Sequence, residues 1–184
     1  MPNSAYLATA RAALIALTLL SAAGVEADIA GGAATLDLLP PSWRDDGGDT
    51  LRLQALHGQR VFVTMAYTTC HRICPMTMSR LNEVQRGLDV RGTRAEFLIV
   101  SYDPTNDDAG AWRRYRTEHS LTRRNWHFLS GTPADTERLA RVLGFEFWRD
   151  GDHVMHDYRI VELGGDGGVR GIIDSAHSNW QALL

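Results

Sequence analysis

The chain has no lysine: all nineteen of its basic residues are arginines. Schiff-base chemistry and a P-loop lysine on nucleotide phosphates are thereby excluded. Set against twenty-two acidic residues, the arginines leave a net charge of −3 with no basic cluster, so there is no electrostatic reason to expect nucleic acid as a partner. Internal repeats are absent. Long apolar runs are missing too, since the N-terminal one, Ala12 to Leu20, is shorter than the about 20 residues a transmembrane helix needs. Cysteine is scarce, with only two in 184 residues. Neither lies just after the N-terminal apolar run, so no lipidated cysteine is expected there.

What is present at the N-terminus reads as an export signal. Arg11 precedes the apolar run, and small residues then lead to Val25-Glu26-Ala27, which resembles a signal-peptidase site. Residues 1–27 are therefore expected to be a cleaved signal peptide, with an uncleaved membrane anchor as the alternative. Residues 28–41, rich in Gly and Ala, are expected to be a flexible lead-in, and 42–184 a single folded domain. Export to an oxidising compartment, periplasmic or on the periplasm-facing side of a membrane, makes two thiols either a disulfide or a metal pair rather than idle core cysteines.

Both thiols, Cys70 and Cys74, fall in Tyr67-Thr68-Thr69-Cys70-His71-Arg72-Ile73-Cys74-Pro75. An apolar run ending at Tyr67 reads as a buried strand. Met78, Leu81, Val84 and Leu88 then recur at helical spacing, and Pro75 suits the first turn of that helix, where its missing N–H removes no hydrogen bond. The thiols thus sit where a strand hands over to a helix. If the turn from Cys70 is nearly helical, positions i and i+4 share a face and both sulfurs can aim at one point. A helix N-terminus is also expected to lower a thiol pKa. Three residues between the cysteines, where a redox dithiol usually has two, widen the bite and leave room for a metal. Two thiolates suit a soft ion such as Cu(I), and an added imidazole makes a three-coordinate site that also accepts Cu(II).

Elsewhere the pattern alternates strand and helix. Trp43 to Gln54, with a turn at Gly47-Gly48, is expected to be a hairpin covering one sheet edge. Phe97 to Ser101 is a strand, Asn106 or Asp107 the cap of the following helix, Trp126 to Leu129 a strand, and Thr132-Pro133 the start of a further helix. Phe145–Trp148, Asp157–Leu163 and Val169–Ile173 read as strands, the last two joined by a glycine-rich turn. The expected fold is α/β and thioredoxin-like: a mixed central sheet flanked by helices, with an N-terminal hairpin extension.

Seven histidines offer a third ligand. His156 is the best placed, at the mouth of a loop before the strand that ends at Leu163. His153 is a lesser competitor, and His71 is expected to face solvent. Met76, Met78 and Met155 lie near the soft donors, with Met78 on the core face of its helix. Arg113, Arg114, Arg116, Arg123 and Arg124 read as a solvated helix surface, or as a docking face for an acidic partner.

In their order, Tyr67-Thr-Thr-Cys70-x-x-x-Cys74-Pro75, Ser101-Tyr-Asp103-Pro104 with Asp107-Asp108, Trp126-x-Phe-Leu-x-Gly131, and His156 ahead of an apolar strand resemble the SCO/SenC family of copper-binding thioredoxin-like proteins. The resemblance implies one copper ion held by Cys70, Cys74 and His156, with Asp103 beside the site in an orienting or pKa-setting role. It implies delivery to, or preparation of, the dinuclear copper centre of cytochrome c oxidase, so the expected partner is a copper-accepting oxidase subunit. The alternative is a thiol-disulfide oxidoreductase with Cys70 as nucleophile. This chain departs from the family pattern at three places: His71 follows Cys70 where proline is common, Thr105 to Ala109 replaces the usual Arg-Asp-Thr-Pro ending, and Met155 precedes His156 where aspartate is typical.

Overall fold

In the computed structural model, residues 35–70 and 73–183 are described. The expected signal peptide, most of the lead-in, and His71 lie outside them. Among the described residues no helix is long and apolar enough to cross a membrane.

The chain enters through one helical turn, α1 (Thr35–Leu38), and a hairpin of β1 (Ser42–Asp45) and β2 (Thr50–Arg52). A 3-10 turn then leads into β3 (Val61–Ala66), α2 (Ile73–Val90), β4 (Glu96–Ser101), α3 (Ala109–Glu118), β5 (Trp126–Ser130) and α4 (Pro133–Leu143). The short strands β6 (Phe147–Asp150), β7 (His153–His156), β8 (Ile160–Leu163) and β9 (Val169–Ile173) follow. Seven strands form one mixed sheet in the order β2-β1-β5-β4-β3-β8-β9, while β6 and β7 pair only with each other. β3, β4 and β5 are parallel at its centre, and antiparallel pairs extend it on both sides. This is the mixed, helix-flanked sheet the pattern implied, with the N-terminal hairpin covering the β5 edge.

Central strands buried on both faces read as near-continuous apolar runs; all six residues of β3 are buried, and its one polar side chain, Thr64, donates to the Arg159 carbonyl at 2.7 Å. On one face Phe62, Phe97 and Trp126 occupy paired positions across β3, β4 and β5 and stack at 5.1 and 5.4 Å. α2 lies over this ladder: its buried Gln85 accepts a hydrogen bond from the Trp126 indole N–H at 3.2 Å and from Asn125 at 2.8 Å. The helix that begins at the cysteines is therefore keyed to the sheet by a polar contact as well as by Leu81, Val84 and Leu88.

Helix ends follow their caps. Thr132 and Asp135 form a reciprocal capping box with Pro133 in the first turn, and Gly144 closes α4 in the left-handed conformation at φ 72°. The cap of α3 is Asp108, which accepts from the Ala111 N–H at 2.7 Å, not Asn106 or Asp107. Asp107 has been drawn into the core, where its carboxylate bonds to other segments.

Two further expectations change. The stretch up to Pro41 is not wholly a lead-in, because Leu36 and Leu39 are each only 1% exposed and join the core. And His153–His156, expected as loop, is the second strand of a tight hairpin turning through Gly151-Asp152, with Gly151 at φ 58°.

Candidate metal centre

At the end of β3 the chain leaves the sheet through Tyr67. The Cys70 N–H donates to the Tyr67 carbonyl at 3.1 Å, which turns the backbone toward α2. Cys74 lies in the first turn of α2, fully buried, and its N–H donates to Cys70 Sγ at 3.4 Å. One of the unpaired N–H groups at the helix start is thus spent on the neighbouring sulfur. The two sulfurs are not joined in a disulfide.

The third group arrives from far along the chain. Strand alternation in β7 places Val154 and His156 inward and His153 and Met155 outward. His156 Nε2 consequently stands 3.7 Å from Cys70 Sγ and 3.7 Å from Cys74 Sγ. All three donor atoms lie within 4.8 Å of one another. The ring is held from three sides. Its Nδ1 is 2.7 Å from the Asp157 carbonyl, which can only accept, so Nδ1 carries the proton and the Nε2 lone pair faces the sulfurs. Tyr102 stacks on it with centroids 4.6 Å apart, and Tyr67 meets it edge-on at 5.8 Å. The Tyr102 hydroxyl in turn donates to Asp157 Oδ1 at 3.2 Å.

The Cys74 thiol is pushed well up from its ordinary value, first by its hydrogen bond with Cys70, then by burial and by the charge Cys70 would carry. This reverses, for Cys74, the lowering expected at a helix N-terminus: two adjacent buried thiols cannot both ionise without a cation between them. Burial, followed by the neighbouring Asp157 carboxylate, likewise pushes up the Tyr102 phenol. A shared positive charge is what the cluster calls for.

Donor spacing sets what that charge could be. Bond lengths of about 2.3 Å to thiolate and about 2.0 Å to imidazole, in a planar three-coordinate arrangement, need sulfur–nitrogen separations of about 3.7 Å. Both separations here are 3.7 Å. Two thiolates and one neutral imidazole are soft donors that suit copper and zinc rather than magnesium or calcium. A cavity of about 460 Å³ opens beside the cluster, with walls that include Tyr67, Cys70, Ile73, His153, Met155 and His156.

The family described as SCO1/SenC matches residues 42–183. The chain belongs to the SCO1/SenC family. A SCO1 protein homolog of Bacillus subtilis is 24% identical over 135 residues, covering 71% of this chain and 69% of the relative. Among solved structures, Bradyrhizobium japonicum ScoI with copper bound superposes with a TM-score of 0.63 at 22% identity, over 76% of this chain and 89% of that one. BsSco, described as a member of the Sco family of cytochrome c oxidase assembly proteins with a disulfide switch, superposes with a TM-score of 0.70 at 21% identity, over 79% and 88%.

Within this SCO1/SenC chain the three expected donors converge, and Asp103, expected beside the site rather than as a donor, holds other groups. Its carboxylate receives Arg149 on one oxygen and Asn106, at 2.8 Å, on the other. It ties the end of β4 to β6, the strand paired with the one that carries His156. Asp107, expected as a possible helix cap, is instead buried at 1% exposure. It accepts the Thr68 N–H at 3.1 Å and hydroxyl at 2.6 Å on one oxygen and the Ser101 hydroxyl at 2.5 Å on the other. That clamps the loop leading to Cys70 onto the end of β4. In the sequence it reads as a cap and as half of the Asp107-Asp108 pair, and nothing local marks it as a clamp.

The remaining groups have ordinary roles. Met78 is buried in the core, as its helix position implied. His57 pairs with Asp37 and His127 with Glu96, each at 2.8 Å. Arg113 and Arg116 both hold Asp46 in the β1–β2 turn, and Arg123 pairs with Asp89, so much of the arginine run is engaged within the fold.

Proposed function

We propose that the protein is a copper chaperone, binding one copper ion through Cys70, Cys74 and His156 and passing it to an accepting protein by ligand exchange. One observation carries this reading: the nitrogen of an oriented imidazole sits 3.7 Å from each of two sulfurs, the sulfur–nitrogen separation a three-coordinate soft ion needs. Membership of SCO1/SenC supports it, as does the fold shared with the copper-bound ScoI. The two thiolates hold Cu(I), and the imidazole adds the donor that makes Cu(II) acceptable as well. The recipient is a subunit of cytochrome c oxidase at its dinuclear copper centre, a reading supported by the assembly role described for the Sco family. Delivery takes place outside the cytoplasm, where the N-terminal residues would direct the chain.

Anaerobic titration of the reduced full chain with Cu(I), against a chromophoric competitor, tests the reading. One tightly held equivalent is expected, and Cys70→Ala or Cys74→Ala should abolish it. Equal affinity in the parent and the double cysteine variant would rule the proposal out.

A second reading, thiol-disulfide exchange, is favoured by a specific difference between the sulfurs. Cys70 is 6% exposed and lines the cavity, whereas Cys74 is wholly buried. Cys70 is then the attacking thiol and Cys74 the resolving one. The two readings use the same thiols and are separated by turnover of a disulfide substrate without copper.

A further inference from the structure

The hairpin that turns His156 inward presents a different set of side chains outward. In its register Trp148 pairs with Met155 and Asp150 with His153. Alternation puts all four on the face away from Val154 and His156. Directly paired side chains have Cβ atoms about 5 Å apart, and diagonal ones at about 7–8 Å remain within reach of long or aromatic groups. The indole, the thioether and the imidazole can therefore meet over one spot on the strand pair. All are open to solvent, Trp148 at 58% and Met155 at 43%, and none has a hydrogen-bond or ion-pair partner among the described residues.

A large indole and a thioether exposed together are not explained by the packing of this hairpin, whose inner face already buries Val154 and His156. Their chemistry is specific. A thioether prefers Cu(I) over harder ions, an imidazole is a good second donor, and an indole face attracts a cation lying over it. The Asp150 carboxylate beside them favours positive charge. His153 and Met155 also line the cavity that reaches Cys70 and His156, so two of the three outer groups border the space through which the inner donors are reached.

We propose that Met155, His153 and Trp148 form a second, weaker Cu(I) site on the outer face of the β6–β7 hairpin, a station through which the ion enters or leaves the sulfur cluster. It has no thiolate, so it binds loosely and exchanges quickly, as a hand-over station must. The hand-over role rests on the copper reading given above; the outer site itself does not.

The test uses the reduced full chain and Cu(I) under anaerobic conditions, with tryptophan emission followed during titration. Cys70→Ser/Cys74→Ser should still bind Cu(I) weakly, with quenching that disappears when Trp148→Phe is added. Adding Met155→Leu or His153→Gln should weaken that binding by at least about tenfold. These positions are exposed, and circular dichroism of each variant checks the fold. If the double cysteine variant binds no Cu(I), or binds it equally well after Met155→Leu and His153→Gln, the outer site is overturned while the sulfur site can stand. If the parent and the double cysteine variant bind Cu(I) alike through Met155 and His153, the outer site stands and the sulfur site fails.

Discussion

Cys70 Sγ and His156 Nε2 stand 3.7 Å apart although 86 residues separate them in the chain. Nothing local brings them together. The contact depends on β3 ending where β4 ends, on Tyr102 at the exit of β4 stacking on the imidazole, and on a two-stranded hairpin whose inner face carries His156.

The three donors should not contribute equally. Removing either sulfur leaves one thiolate, which holds Cu(I) poorly. His156→Ala leaves both sulfurs in place, so Cu(I) should stay bound while Cu(II) binding and the rate of transfer fall. Tyr102→Ala, which removes the platform under the ring, should cost about 3–5 kcal/mol of stability as a buried aromatic truncation and weaken Cu(II) binding by about 10–100-fold through loss of ring orientation. Tyr102→Phe keeps the stack and should bind nearly as the parent does. Competition titrations with each oxidation state check this; Cu(II) affinity equal in Tyr102→Ala and parent would remove the ring-orienting role.

Local signals account for what the sequence made legible. Pro75, the Thr132-Pro133 start, the apolar run of β3 and the helical spacing of Met78, Leu81, Val84 and Leu88 each report on a few adjacent residues, and each matches the element found. The two sulfurs are legible from their spacing at a strand-to-helix junction and His156 from its place before an apolar strand, and the family motifs tie the three together. What escaped depends on contacts distant in sequence. α1 is one turn, Thr-Leu-Asp-Leu, with only Leu36 of its two leucines buried, too short to show periodicity. β7 is four residues long, and its only mark was the Gly151-Asp152 pair. Asp107 and Asp108 are indistinguishable as caps until Thr68 and Ser101 come near enough to claim one of them.

The ion pair between Arg149 and Asp103 should set how firmly the hairpin is held, not how stable the protein is. Arg149 is 53% exposed at its side chain, so solvent screening keeps the pair to about 1 kcal/mol or less. Arg149→Ala should leave the global unfolding midpoint almost unchanged and raise amide exchange across residues 147–156 by up to about fivefold. The same variant should release copper faster. Native-state hydrogen exchange decides it: unchanged exchange in the hairpin would show that Phe147 on Tyr102 holds β6 without the ion pair.

Asp107 gives a pH signature of unusual sign. Burial raises its pKa, as does the nearby Asp103 carboxylate, while the bonds from Ser101 and Thr68 oppose the rise without cancelling it. A carboxyl whose folded pKa lies above its unfolded value binds its proton more tightly when folded. Its contribution is therefore fully present below the unfolded pKa near 3.8 and is lost as pH rises through the folded value. Relative to Asp107→Asn, which does not titrate, the parent should gain stability as pH falls from 7 toward 4. Urea unfolding of both proteins at several pH values measures the difference, and a parent that loses ground toward acid would mean the three hydrogen bonds outweigh burial. Asp107→Ala should be worse than Asp107→Asn at every pH, because it leaves the Thr68 N–H without an acceptor, at about 1–3 kcal/mol for a buried donor.

The unequal access of the two sulfurs leads to a prediction that holds whether the thiols carry metal or exchange disulfides. Cys70 faces the cavity and Cys74 has no exposed surface. Cys74 also keeps its proton, since its pKa is driven up by the bond with Cys70 and by burial, and a thiol is a far weaker nucleophile than a thiolate. A small alkylating reagent applied to the reduced, metal-free protein under native conditions should therefore modify Cys70 first. With a disulfide substrate, Cys74→Ser should accumulate a mixed disulfide at Cys70, because the sulfur that would resolve it is gone, while Cys70→Ser should trap almost nothing. Mass spectrometry of peptides containing each cysteine reads both outcomes. Labelling of Cys74 ahead of Cys70 would mean that the start of α2 opens in solution, and the order of attack would then have to be reversed.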